Sequence, residues 1–296
     1  MTDGQEFVFV LGMHRSGTSC LAGALERCGL YLGNVRRTGR FNKKGYYEQR
    51  SVARLHDDIL ESHGASWFEP PQTCEPSFEQ RQQVKEVARR LSARRPCGVK
   101  DPRLLLLLGT WQELAPDPQA IVATFRHPHA VARSLGHRNG MAEEDAIDLW
   151  LHYNGLLVEA HQRTPFPIVE FDLTHAETYC DTLVAIANHL GLSPNPFQVR
   201  RFVDSNLAHD TSDRPIPDRC QGTIDYLRRH RFDPQIGGDK VHGGGGPSAR
   251  LRGAVREARF VTTRMAPERF GRASRSAAAR ITRRVRLNRR PAEEYR

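Results

Sequence analysis

The chain is expected to fold as an α/β domain: a central parallel sheet with helices on both faces, three layers in all. Two observations predict this. Short apolar runs alternate with stretches of helical spacing, the pattern of strands joined by crossover helices. The first run, Phe7-Val8-Phe9-Val10-Leu11, leads through the glycine turn GMHRSGTS into Leu21, Ala24, Leu25 and Cys28 at helical spacing, a strand, loop and helix in sequence.

The elements follow in order. A strand is expected over 6–12 and a helix over 16–29, then helices over 49–63 and 77–94. Cys97-Gly98-Val99 is a second strand entering Lys100, with a helix over 104–114 behind it. QAIVATF over 119–125 is the third strand, followed by helices over 128–138 and 143–163. FPIVEF over 166–171 is the fourth, followed by a helix over 175–190. Residues 1–235 are read as one catalytic domain. Gly237-Gly238 and Gly243 to Gly246 mark a linker over 236–249, and 250–296 is an arginine-rich tail.

Composition limits the function. The 296 residues can bury a sizeable core, and 39% hydrophobic residues suit a globular body. No run reaches the roughly 18 apolar residues of a membrane span, and the opening residues lack signal-peptide character, so a cytoplasmic protein is expected. The six cysteines form no C-x-x-C pair and no zinc-type cluster; they read as reduced and mostly buried, and no metal is expected. The net charge of +10 belongs to the tail: 247–296 holds fifteen arginines and four glutamates, +11, which leaves −1 for the rest. No specific nucleic-acid partner is therefore expected of the body. The tail reads either as a solvated disordered segment or as a basic amphipathic helix touching a membrane surface or polyanion, with Leu251, Val255, Ala258 and Val261 at helical spacing.

Four segments carry chemistry. In the loop, Gly12 and Gly17 permit the turn, while the backbone amides of residues 15 to 19 and the hydroxyls of Thr18 and Ser19 can hold anionic oxygens at a helix N-terminus. A nucleotide triphosphate loop needs lysine where Thr18 stands, so the charge must come from elsewhere, and Arg15 is well placed. Arg126 ends the third strand and Ser134 follows eight residues later, two turns into the next helix, so both can reach one phosphate at the sheet edge. Lys100 ends the second strand; one of only five lysines beside 39 arginines, it can face a transferring group, the alternative being a strand-end salt bridge of Lys100 or Arg103 with Asp101. Glu48, in NKKGYYE, is a candidate general base or a helix N-terminal glutamate stabilised by the dipole; His14 is the reserve base.

These segments resemble the 3′-phosphoadenosine 5′-phosphosulfate (PAPS)-dependent sulfotransferases of Golgi and bacterial type. HRSGTS is similar to the family's 5′-phosphosulfate loop and RHPHAVARS to its 3′-phosphate motif. KDPR resembles a segment whose lysine assists the leaving phosphate, and NKKGYYE one whose glutamate acts as base. The resemblance runs in patches over about 1–210. It implies a P-loop NTPase-like sulfotransferase fold, with Arg15, Ser16, Gly17, Thr18, Ser19, Arg126 and Ser134 binding PAPS and with Glu48, Lys100 and His14 as catalytic candidates. The implied reaction moves a sulfuryl group to a hydroxyl of a sugar, lipid or natural product without a metal, in a bacterial cytoplasmic enzyme. One departure stands out: the R-K-G-x-x-G-x-W segment of cytosolic members has no clear copy, leaving that contact to Arg201 or Arg214, or the nucleotide less completely held. Two other readings stay open: a P-loop kinase or NTPase with Asp172 toward Mg²⁺, and a non-catalytic anion or nucleic-acid binder using the tail.

Overall fold

A computed structural model describes residues 6–38, 45–203 and 213–234. Phe41 to Lys44, the 236–249 linker and the 250–296 tail lie outside the described residues, so the readings placed on them do too. Four parallel strands form one sheet in the order β2-β1-β3-β4: β1 (Phe7–Leu11), β2 (Cys97–Lys100), β3 (Gln119–Phe125) and β4 (Ile168–Glu170). All four expected strands are present, the last trimmed to three residues.

Central β1 is apolar at every position because both of its faces are covered. Phe7, Phe9 and Leu11 enter one core, and Val8 and Val10 the other. The first core is closed by α2 (Arg50–Ser62), α3 (Phe78–Ser92), α4 (Leu104–Leu114), α5 (Pro128–Asn139), α6 (Glu143–Arg163) and α9 (Asp218–Arg229). The second is closed by α1 (Thr18–Arg27), α7 (Ala176–His189) and α8 (Pro196–Phe202). The expected three layers are therefore present. Two helices went unread in the sequence, α8 and α9. No described helix is long and apolar enough to cross a membrane. Five of the six cysteines are buried, Cys74 is half-buried, and all are free thiols.

The strand order positions the site. The chain leaves β1 for β2 on one side and then crosses to β3 on the other, so the connections diverge between β1 and β3. In open parallel sheets the crevice beyond the strands' carboxyl ends at such a point is where ligands bind. The register sets Val10 against Lys100 and Leu11 against Ala123, so the ends of β1, β2 and β3 open onto one area.

Candidate active site

Beyond Leu11 the backbone turns back tightly. Gly12 has φ +141°, and a Cβ there would come within 2.5 Å of the Thr124 carbonyl. Gly17, at φ +86°, precedes α1, and a Cβ there would meet the Phe171 ring at 2.3 Å. The helix starts at Thr18 rather than 16 because Gly17 is left-handed. Ser16 N–H donates to the Met13 carbonyl, and Thr124 Oγ1 donates to the Ser16 carbonyl, so the loop is pinned to β3. Arg15 sits at φ +67°, a left-handed conformation that a bulky residue adopts only when the surroundings enforce it.

The structure brings the first two motifs together. Arg15 Nε donates to Ser134 Oγ at 2.8 Å, and Arg126 Nη1 donates to the Arg15 carbonyl at 3.3 Å. Arg126 and Ser134 are buried, and the Arg126 guanidinium lies 5.2 Å from the centre of the Phe171 ring. The indole of Trp150 donates to the Arg126 carbonyl at 2.8 Å, which fixes the strand-to-helix turn.

The other two motifs meet on the opposite side of the loop. Lys100 Nζ donates to Glu48 Oε1 at 2.7 Å, to the Tyr46 carbonyl at 3.0 Å and to Ser19 Oγ at 3.3 Å. Ser19 Oγ in turn donates to the Tyr46 carbonyl at 3.0 Å. Glu48 lies ahead of α2, whose N-cap is Gln49, and its carboxylate is spent on Lys100 rather than on the helix end. Asp101 is taken by Arg103, so of the two strand-end pairs read as alternatives it is the one with Arg103 that forms.

Arg103 anchors a buried charge network. Its guanidinium donates to both oxygens of Asp101 and, through Nε at 2.8 Å, to Asp57. Burial alone would raise the pKa of Asp101, but the Arg103 guanidinium and then His56 overcome it and hold the carboxyl well below the usual range. Trp111 donates its indole N–H to His56 Nε2 at 2.8 Å, which leaves Nδ1 to carry the hydrogen toward Asp101, 3.2 Å away. The chain thus runs from the core through Asp101 to the peptide that carries Lys100.

His14 is buried against Trp67, with ring centres 4.3 Å apart, and Trp67 is held in turn by Tyr153 Oη donating to its carbonyl. Burial, followed by the charges of Arg103 and Arg138, pushes the His14 pKa well below the ordinary histidine value, so the ring is neutral near pH 7. Its Nε2, and the hydroxyl of fully buried Ser16, have no hydrogen-bond partner among the described residues. Unsatisfied polar atoms sealed in a glycine loop are costly unless a ligand meets them. The donor set fits an anionic ligand: hydroxyls, amides at a helix start and three cations.

Several participants escaped the sequence reading. Tyr46 contributes a carbonyl, which no side-chain motif reveals. Asp57 and Arg103 pair across 46 residues. Arg138, one turn past Ser134 and so on the same face of α5, lies 5.9 Å from the Tyr46 ring centre; the i, i+4 spacing was the available signal. Of the proposed substitutes for the missing segment, Arg214 pairs with Glu143 at 2.7 Å and Arg201 is exposed on α8. Asp172, the metal-site alternative, is exposed and accepts from Thr174 N–H at 2.9 Å, just past β4, which β3 separates from β1.

No family model matches the chain, and no curated protein matches it. Among solved structures it is similar to the sulfotransferase domain from the Synechococcus PCC 7002 olefin synthase. The likeness has 17% identity and a TM-score of 0.43, and covers 79% of this chain and 97% of that one. Any functional assignment rests on the chemistry of the site itself.

Proposed function

We propose that this chain is a PAPS-dependent sulfotransferase that moves a sulfuryl group to a hydroxyl of a sugar, lipid or natural product. The observation that carries this is the convergence of Arg15, Arg126, Ser134 and Lys100 on one phosphate-type loop whose position 18 is threonine. A loop lysine would reach β- and γ-phosphates of a triphosphate. Here the cations are distributed around the loop instead, which suits a ligand bearing anionic groups at two ends.

PAPS supplies the activated sulfuryl group and, on transfer, a phosphate leaving group. The loop amides with Arg15, Ser16, Thr18 and Ser19 hold its phosphosulfate end; Arg126 and Ser134 hold its 3′-phosphate. Lys100 stabilises negative charge on the leaving oxygen, since cations already in place cost no reorganisation during reaction. Glu48 takes the acceptor proton, its carboxylate lying 2.7 Å from Lys100. His14 and Trp67 form a wall that keeps water out. Like phosphoryl transfer, the reaction asks the protein chiefly for positioning and charge stabilisation.

The test is incubation with sulfur-labelled PAPS and a panel of sugar, lipid and natural-product alcohols. Label transferred by the unmodified chain and lost in Arg126→Ala is expected. Phosphoryl transfer from Mg-ATP to the same panel, with no sulfuryl transfer, would overturn the reading.

A further inference from the structure

Lys100 has no hydrogen left to offer. An ammonium carries three N–H bonds, and here they go to Glu48, the Tyr46 carbonyl and Ser19 Oγ, with the side chain 1% exposed. To meet the leaving end of a nucleotide it must release one partner.

Two of the three are held. The Tyr46 carbonyl belongs to a backbone tied at three points: Tyr46 and Tyr47 N–H donate to the Arg36 carbonyl, and Arg36 N–H donates to the Glu48 carbonyl. Ser19 Oγ sits in the first turn of α1 and closes a triangle with Tyr46 and Lys100. Glu48 holds on through the longest rotatable side chain of the three, and at 18% exposure it has a path to water. Charge favours the same exchange, because a buried ammonium needs a counter-charge that an arriving phosphosulfate can replace.

We propose that Glu48 occupies Lys100 in the ligand-free protein and is displaced by the nucleotide, so that binding of the sulfuryl donor releases the base that the reaction requires. The inference rests on the sulfotransferase reading above. After the exchange, the acceptor O–H proton passes to Glu48 as the new O–S bond forms. The S–O bond to the 5′-phosphate breaks with its electron pair on the phosphate oxygen, which Lys100 then faces. Nucleotide binding therefore precedes productive acceptor binding.

The experiment titrates the full chain and its variants with PAP, the desulfated product. Glu48→Gln and Glu48→Asp are both expected to tighten PAP binding by roughly five- to tenfold, the size of a contact coupling between neighbouring side chains. In a Lys100→Met background both gains should shrink below about twofold, since the two effects act on one pair. Simple removal of a repelling carboxylate predicts otherwise: no gain in Glu48→Asp, which keeps its charge, and an undiminished gain for Glu48→Gln without the lysine. Either result overturns the proposal, as does unchanged affinity in both single variants. If Lys100→Met does not fold, Glu48→Asp decides alone. Failure of the unmodified chain to bind PAP is a different outcome, which overturns the function and the exchange together.

Discussion

Arg15 Nε donates to Ser134 Oγ at 2.8 Å, joining the loop after β1 to α5 across 119 residues of sequence. Arg15 and Tyr47 are the described non-glycine residues with positive φ, so the Ser134 contact holds a cation in a conformation it would not choose by itself. Ser134→Ala is expected to weaken PAP binding about tenfold, the worth of one hydrogen bond to a charged partner. Calorimetric titration checks it, and unchanged affinity would contradict the role given to Ser134.

Gly17 tests the loop. An alanine there would press its Cβ into the Phe171 ring while holding φ at +86°. Gly17→Ala should destabilise the fold by about 2–4 kcal/mol, strain and overpacking together, and abolish PAP binding. Phe171→Leu should restore part of the stability, because the strain remains when the clash is eased. Urea unfolding measures both.

Asp101→Asn removes a carboxylate that Arg103 grips through two oxygens deep in the protein. The uncompensated guanidinium makes a loss of about 3–5 kcal/mol the expected result. Asp57→Asn, at a more exposed partner of the same guanidinium, should cost visibly less. Equal losses in chemical denaturation would show that the charge network does not run inward through Asp101.

Much of this architecture was legible because the fold repeats one local grammar. The first three strands are short runs that lead into Gly12, Lys100 and Arg126, so the site residues stand at strand ends where pattern alone locates them. The spacing from Arg126 to Ser134 encoded two helical turns. Pairings between distant segments were not legible: nothing local says that Lys100 goes to Glu48 or that Arg103 also takes Asp57, since those choices are made by packing. The two missed helices did leave traces. Asn195-Pro196 is an N-cap followed by a proline suited to the first helical position, and Cys220, Ile224 and Leu227 recur at i, i+4 and i+7 behind Pro217.

His14 gives the protein an acid-side sensitivity. Its folded pKa lies well below the ordinary value, for burial first and then for the charges of Arg103 and Arg138. Between the folded value and about 6.5 the unfolded chain binds a proton that the folded one refuses, so stability rises with pH through that window and falls on acidification below about 6.5. Each pH unit within it is worth up to about 1.4 kcal/mol for this group. His14→Phe should flatten that slope. The check is the urea midpoint at pH 7.5 and 5.5; an equal drop in both proteins would contradict the burial of a neutral His14.

The most direct test is a comparative titration of the full chain with PAP and with Mg-ATP, repeated in Arg126→Ala. PAP is predicted to bind at least roughly tenfold more tightly than Mg-ATP, which a single charged contact to the 3′-phosphate suffices to supply, and to lose that advantage in Arg126→Ala. A preference for Mg-ATP, or PAP binding indifferent to Arg126, would contradict the assignment of this site to a 3′-phosphorylated sulfuryl donor.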